Sequence, residues 1–131
     1  MKKALIIGGS GFLGRHIVAE LLDQGAEMYA LQHKNAVPGI DSHRLIRGGL
    51  KAVTPRLIDE IKPEVIFHAA RPVMPRLKKW GRIVSARKAA RLNRRLLGQL
   101  GNSATKPLLA FASGSLMYGN SMDLHLEDSP L

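Results

Sequence analysis

The chain has 131 residues, 45% hydrophobic and 23% charged, which is ordinary globular material with length for one compact domain. It holds no cysteine, and its five histidines lack metal-ligand spacing, so disulfides and metal sites are both excluded from the expectations. The formal charge of +10 is uneven: residues 1–64 carry nine basic and seven acidic side chains, and residues 65–131 carry eleven and three, with no acid between Glu64 and Asp123. Such a block favours anionic partners.

No apolar run approaches the roughly 18 residues of a membrane span. Lys2-Lys3 followed by Ala-Leu-Ile-Ile is too short for a signal-peptide core. The default expectation is a cytoplasmic protein with no membrane contact. In chain order, Ala4–Ile7 reads as a buried first strand. Phe12–Gln24 has helical spacing, with Phe12, Leu13, His16, Ile17, Ala19, Leu21 and Leu22 largely on one side and Gly25 as its stop. Glu27–Gln32 is a second strand, and the stretch 35–42, with Pro38 and Gly39, is a loop. Arg44–Arg47 is a short third strand. Pro55–Ile61 is a helix stopped by Pro63, and Val65–His68 is a fourth strand. Arg71–Gly81, with Pro72 and Pro75, reads as a basic loop. Ile83–Leu100 is the longest helix, and Leu108–Ala112 the fifth strand.

Strands alternating with helices predict an α/β fold with right-handed crossovers: a doubly wound parallel sheet of the Rossmann type, in order 3-2-1-4-5. Ligands of such a sheet bind at the carboxyl ends of the strands, at the switch between strands 1 and 4. That is where Gly8-Gly9-Ser10-Gly11-Phe12-Leu13-Gly14 falls, after a strand and opening a helix. Gly8 permits the tight turn, Gly11 admits a pyrophosphate close to the backbone, and Gly14 lets the helix pack closely. The free N–H groups near Phe12 and Leu13 then face the phosphates. The bland alternative is a glycine-rich turn that binds nothing.

Four stretches together resemble the amino-terminal, cofactor-binding part of an extended short-chain dehydrogenase/reductase, the NAD-dependent epimerase/dehydratase family. They are the glycine motif, Val65-Ile66-Phe67-His68-Ala69-Ala70, Phe111-Ala112-Ser113-Gly114-Ser115-Leu116-Met117-Tyr118-Gly119, and Glu127-Asp128-Ser129-Pro130-Leu131. The resemblance implies a nicotinamide dinucleotide cofactor. The residue that reads the adenosine ribose is then Gln32, 24 positions after Gly8, followed by His33 and Lys34. An NAD enzyme usually carries a carboxylate there. This trio would not repel a 2′-phosphate, and Lys34 can pair with it, so NADP is preferred over NAD; Arg15 is a further candidate. Otherwise Lys34 is a solvated loop lysine. The family's Gly-Asp-Leu at the adenine is Gly48-Gly49-Leu50 here. The carboxylate is lost, while Leu50 still covers the base. Ala69 and Ala70 would end the fourth strand beside the cofactor, and His68 reads as a packing residue.

Catalysis in the resembled family uses a Ser or Thr and, further along, Tyr-x-x-x-Lys, the tyrosine acting as acid/base. Four positions before Tyr118 stands Gly114, flanked by Ser113 and Ser115, which are the candidate catalytic hydroxyls. Tyr118 resembles the family's structural tyrosine, and no lysine follows it. The implied organisation is one dinucleotide-binding domain over residues 1–131, part of a chain roughly twice as long or more, with the substrate domain absent. The parent protein is expected to be an epimerase, dehydratase or reductase of a nucleotide sugar or related carbonyl or alcohol, and this chain alone to bind cofactor without turnover. The alternative is a non-catalytic NADP-binding sensor or regulatory module.

The long helix carries Arg87, Lys88, Arg91, Arg94 and Arg95 on one side and Ala86, Ala89, Ala90, Leu96, Leu97 and Leu100 at core spacing on the other. Asn93 is the polar residue on the apolar side, either a displaced equivalent of the family's active-site asparagine or a satisfied core group. The basic side reads first as a solvated face. Docking to an acidic surface or to a second copy of the chain as a homodimer comes second. Nucleic acid comes last, since Trp80 has no interleaved aromatic companions.

Overall fold

The computed structural model describes residues 3–70 and 79–113. Five strands, β1 (Lys3–Ile7), β2 (Glu27–Gln32), β3 (Leu45–Arg47), β4 (Val65–His68) and β5 (Leu108–Phe111), form one parallel sheet in the order β3-β2-β1-β4-β5. The helices α1 (Phe12–Asp23), α2 (Pro55–Ile61) and α3 (Lys79–Asn102) cross between them. The expected doubly wound topology is the one observed.

β1 lies between β2 and β4, so both its edges are hydrogen-bonded, and packed side chains cover both its faces. Alternation sends Ala4 and Ile6 to one face, where they meet Val18 and Leu21 of α1, Met28 and Val37. Leu5 and Ile7 point to the other, among Val53, Ile58 of α2, Ile66, and Leu96 and Leu100 of α3. The two half-cores share the sheet, and Ala4 to Ile7 are at most 2% exposed.

Local chemistry sets the helix ends. Gly25 adopts φ +75°; its N–H donates to Leu22 O and that of Ala26 to Leu21 O, both at 2.9 Å, closing α1 in the paired pattern that a left-handed glycine permits. Thr54 caps α2 by accepting from Leu57 N at 3.2 Å, with Pro55 at the first helical position. Asp59 of α2 accepts from the backbone N–H groups of Ala104 (3.1 Å) and Thr105 (2.8 Å), tying α2 to the loop before β5.

Some sequence expectations are corrected. α3 begins at Lys79, so Trp80 and Gly81 belong to the helix and not to the preceding loop. β3 begins at Leu45 after a single 3₁₀ turn, Ser42–Arg44, and β5 ends at Phe111. The buried residues of α1 are Gly14, Val18 and Leu21, whereas Phe12 (76% exposed), Leu13, His16 and Ala19 lie outside. The expected side shares only Leu21 with the buried residues, because α1 seats on the loop through Gly14 and that turns Val18 inward. On α3, Leu96 and Leu100 are buried, while Ala86, Ala90 and Leu97 are exposed.

Candidate functional site

The site begins where β1 ends. Gly8 has φ +92°, and a Cβ there would lie 2.5 Å from Ala70 N and 2.8 Å from the Ala69 carbonyl carbon. Only a residue without a side chain allows that turn and that approach. The smallness of the β4 end and the glycine at the β1 end are two sides of one contact. Ala69 N in turn donates to Ile7 O at 2.8 Å.

Gly11 then folds back, its N–H donating to Gly8 O at 3.0 Å, and takes the N-cap position of α1 with extended backbone (φ −77°, ψ 171°) and no side-chain cap. The first bond of the helix runs from Arg15 N to Gly11 O at 3.0 Å. The N–H groups of Phe12, Leu13 and Gly14 therefore have no helical carbonyl to meet, and they gather at the positive end of a 12-residue helix with no acid in its first turn. A Cβ on Gly11 would meet nothing within 4 Å except Gly8 O at 3.3 Å. Gly14 differs: its Cβ would stand 2.1 Å from Gly8 O and 2.8 Å from Gly9 Cα. It seats α1 against the loop itself. Gly9, to which the sequence reading gave no role, is also hemmed in: a Cβ there would stand 2.8 Å from Val37 Cγ1 and 3.1 Å from Ile6 Cγ2.

The second part of the site lies at the carboxyl ends of β2 and β3. Gln32 ends β2 half-buried, and His33 and Lys34 follow on the surface. Gly48 N donates to Gln32 O at 2.9 Å, and the His33 ring lies 3.7 Å from where a Gly49 Cβ would stand. The missing carboxylate position therefore faces His33. Leu50, half-buried, packs on the α2–α3 half-core. In the parallel register Arg47 pairs with Gln32, which puts an exposed guanidinium-bearing residue beside the Gln32–Lys34 trio. The sequence reading missed Arg47. Its only signal was its place at the end of a three-residue strand, which means nothing until the register is known.

The third part is the end of β4 and β5. His68 is 2% exposed, packs on the Phe111 ring at 5.0 Å, and its Nε2 lies 3.2 Å from Asn93 Oδ1. An amide oxygen can only accept, so the proton sits on Nε2. Nδ1 is buried without a partner among the described residues. Desolvation holds the imidazole below its ordinary pKa, partly opposed by the Asn93 bond. His68 is a core group, as the packing reading expects, and Asn93 is its hydrogen-bonded neighbour. Ser113 follows β5, exposed, with Ala112 N donating to His68 O at 3.0 Å. Ser115, Gly114 and Tyr118 lie outside the described residues. No cluster of potential metal ligands occurs among the described residues, and no described helix is long and apolar enough to cross a membrane.

The profile of the NAD dependent epimerase/dehydratase family matches residues 4–131. The chain belongs to the NAD-dependent epimerase/dehydratase family. Solved structures carry the same fold. UDP-glucose 4-epimerase from Brucella ovis, in complex with NAD, superposes with a TM-score of 0.79 at 20% identity, covering 98% of this chain and 40% of that one. TunA, an NAD-dependent NDP-hexosamine 5,6-dehydratase involved in tunicamycin biosynthesis, gives 0.75 at 24% identity, covering 100% and 43%. MoeE5, in complex with UDP-glucose and NAD, gives 0.72 at 25% identity, covering 96% and 41%. This member of the epimerase/dehydratase family thus spans about two-fifths of the length of these structures. No curated protein matches the chain.

Proposed function

We propose that this chain holds a nicotinamide dinucleotide across the carboxyl ends of its strands, NADP in preference to NAD, as the cofactor half of a protein acting on a nucleotide sugar. The observation that carries the reading is the uncapped amino terminus of α1, seated through Gly14 on Gly8, which itself lies against Ala69 and Ala70. A pyrophosphate fits there. The cradle is one that a Cβ at Gly11 would fill, and three N–H groups and a helix dipole face it.

From that anchor the adenosine runs toward β2 and β3. Gln32 replaces the carboxylate that selects NAD. Lys34, Arg47 and, at the helix start, Arg15 supply positive charge for a 2′-phosphate, and His33 a further polar side chain beside them. The base meets Leu50 but finds Gly49 where a carboxylate would recognise its amino group, so its recognition is weaker than its phosphate binding. The other end of the dinucleotide reaches Ala69, Ala70 and Ser113. The nicotinamide, when bound, accepts and returns a hydride. The chain's own contribution there is to leave room at two alanines and to offer a hydroxyl at Ser113, with Ser115 the second candidate.

The nucleotide-sugar substrate rests on what the similar structures are named for. Membership of the family and the absence of a carboxylate at Gln32 also suit an NADP-binding module without turnover; Gly114 at the hydroxyl position favours that second reading. Calorimetry of the 131-residue chain with NADP and NAD tests the proposal. Stoichiometric binding with NADP the tighter ligand is expected, and absence of binding to either refutes it.

A further inference from the structure

Five of the cations of α3, Arg87, Lys88, Arg91, Arg94 and Arg95, sit on a helix that starts earlier than the sequence pattern indicates, and that changes their company. Residues seven and four apart share a helix face. Trp80, Arg87, Arg91 and Arg94 therefore fall on one line along α3, on the side away from Leu96 and Leu100, which anchor the helix to the sheet. Lys88 and Arg95 lie together along one side of that line. All five cations are exposed, and Trp80 is 78% exposed. None of the five forms an ion pair among the described residues, and the sequence supplies no acid between Glu64 and Asp123.

This arrangement is unfavourable for an isolated helix. Like charges at i,i+4, as in Arg87–Arg91 and Arg91–Arg95, oppose helix formation. Four of the five cations are arginine, whose planar fork binds phosphate oxygens in pairs. The stripe from Arg87 to Arg94 rises about 10 Å, and the indole lies about 10 Å beyond it on the same line. A ladder of cations that ends in an exposed ring matches a backbone of phosphates that carries bases with free faces.

We propose that the outer face of α3 binds single-stranded nucleic acid, with Arg87, Arg91 and Arg94 on successive phosphates and Trp80 stacked on a base. Binding is independent of sequence, because nothing on the stripe reads base edges. It is also separate from the dinucleotide site, which lies at the carboxyl ends of the strands.

Trp80 is the single tryptophan of the chain, so the chain reports on its own stacking. Titration with an oligothymidylate of about 15 nucleotides should quench the intrinsic fluorescence. The affinity should fall with salt, with a log–log slope of roughly −2 to −3 for three to four phosphates neutralised on a single strand. Arg87→Glu/Arg91→Glu and Lys51→Glu/Lys62→Glu each bring the net charge from +10 to +6. Only the first pair should abolish quenching, while NADP binding and far-UV circular dichroism stay unchanged in both. Trp80→Ala should weaken a labelled oligomer, read by anisotropy, by roughly 5- to 150-fold. Absence of quenching at low salt, or equal loss in both charge variants, overturns the proposal. So does polyglutamate or an anionic phosphatidylserine vesicle acting as well as the oligonucleotide, which would assign the face to an acidic protein or a membrane surface.

Discussion

Gly11 and Gly14 look alike in the motif, yet the structure separates them. At Gly14 a methyl group would stand 2.1 Å from Gly8 O, 2.7 Å from Gly8 C and 2.8 Å from Gly9 Cα. All three are backbone atoms, so no side chain can swing away, and α1 must lift from the loop by about an ångström. Overpacking of a fitted contact costs about 1–3 kcal/mol, and a clash with backbone belongs at the upper end. Replacing a helical glycine by alanine otherwise gains about 1 kcal/mol. Gly14→Ala should therefore lose about 2 kcal/mol of stability, and it should lose dinucleotide affinity too, because the lifted helix carries its N–H groups away. Gly11 has ordinary extended angles and open space, with Gly8 O at 3.3 Å as the one near neighbour. Gly11→Val should hold its stability to within about 0.5 kcal/mol and lose dinucleotide binding alone. Urea unfolding with calorimetry on both variants separates the two effects. A Gly14→Ala protein as stable as the parent, or a Gly11→Val protein that binds NADP normally, would refute the reasoning.

Three further outcomes are expected. In the folded chain the pKa of His68 is held below its ordinary 6.5, chiefly by burial, so protonation favours the unfolded state. Its contribution to stability is complete above pH 6.5 and is lost as the pH falls through the lower, folded value; a His68→Phe variant should show a flatter stability profile across that window, measured by urea unfolding. Asp59 is held below its usual range, first by the Thr105 and Ala104 backbone bonds, so its stabilising effect is present above its ordinary pKa of 3.8 and disappears in stronger acid. Asp59→Ala should raise amide exchange at residues 104 and 105 before it affects the sheet. At the ribose, Lys34→Asp should reverse a preference for NADP of about 1 kcal/mol, an exposed ion pair being worth no more; a parent that favours NAD would remove Lys34 from the site.

Amino-acid order alone determined the sequence of elements and the sheet. Apolar runs of four to six residues alternate with amphipathic stretches, and parallel strands with right-handed crossovers leave little choice of strand order. It also located the glycine turn, because a strand, spaced glycines and a helix occur in immediate succession. What it could not determine depends on how separate elements seat against each other. The rotation of α1 about its axis differs from the apolar side read in the sequence, because Gly14 meets Gly8 O and so turns Val18 inward and Phe12 outward. Arg47 became a neighbour of Gln32 only through the β2–β3 register. His68 and Asn93 are 25 residues apart, and their bond exists because β4 and α3 pack together. Trp80 joined the line of arginines only because α3 runs back to Lys79, through residues that the sequence pattern joined to the basic, proline-containing stretch before them. Periodicity is a property of one segment, whereas rotation, register and long-range partners belong to pairs of segments, and only the tertiary structure holds those.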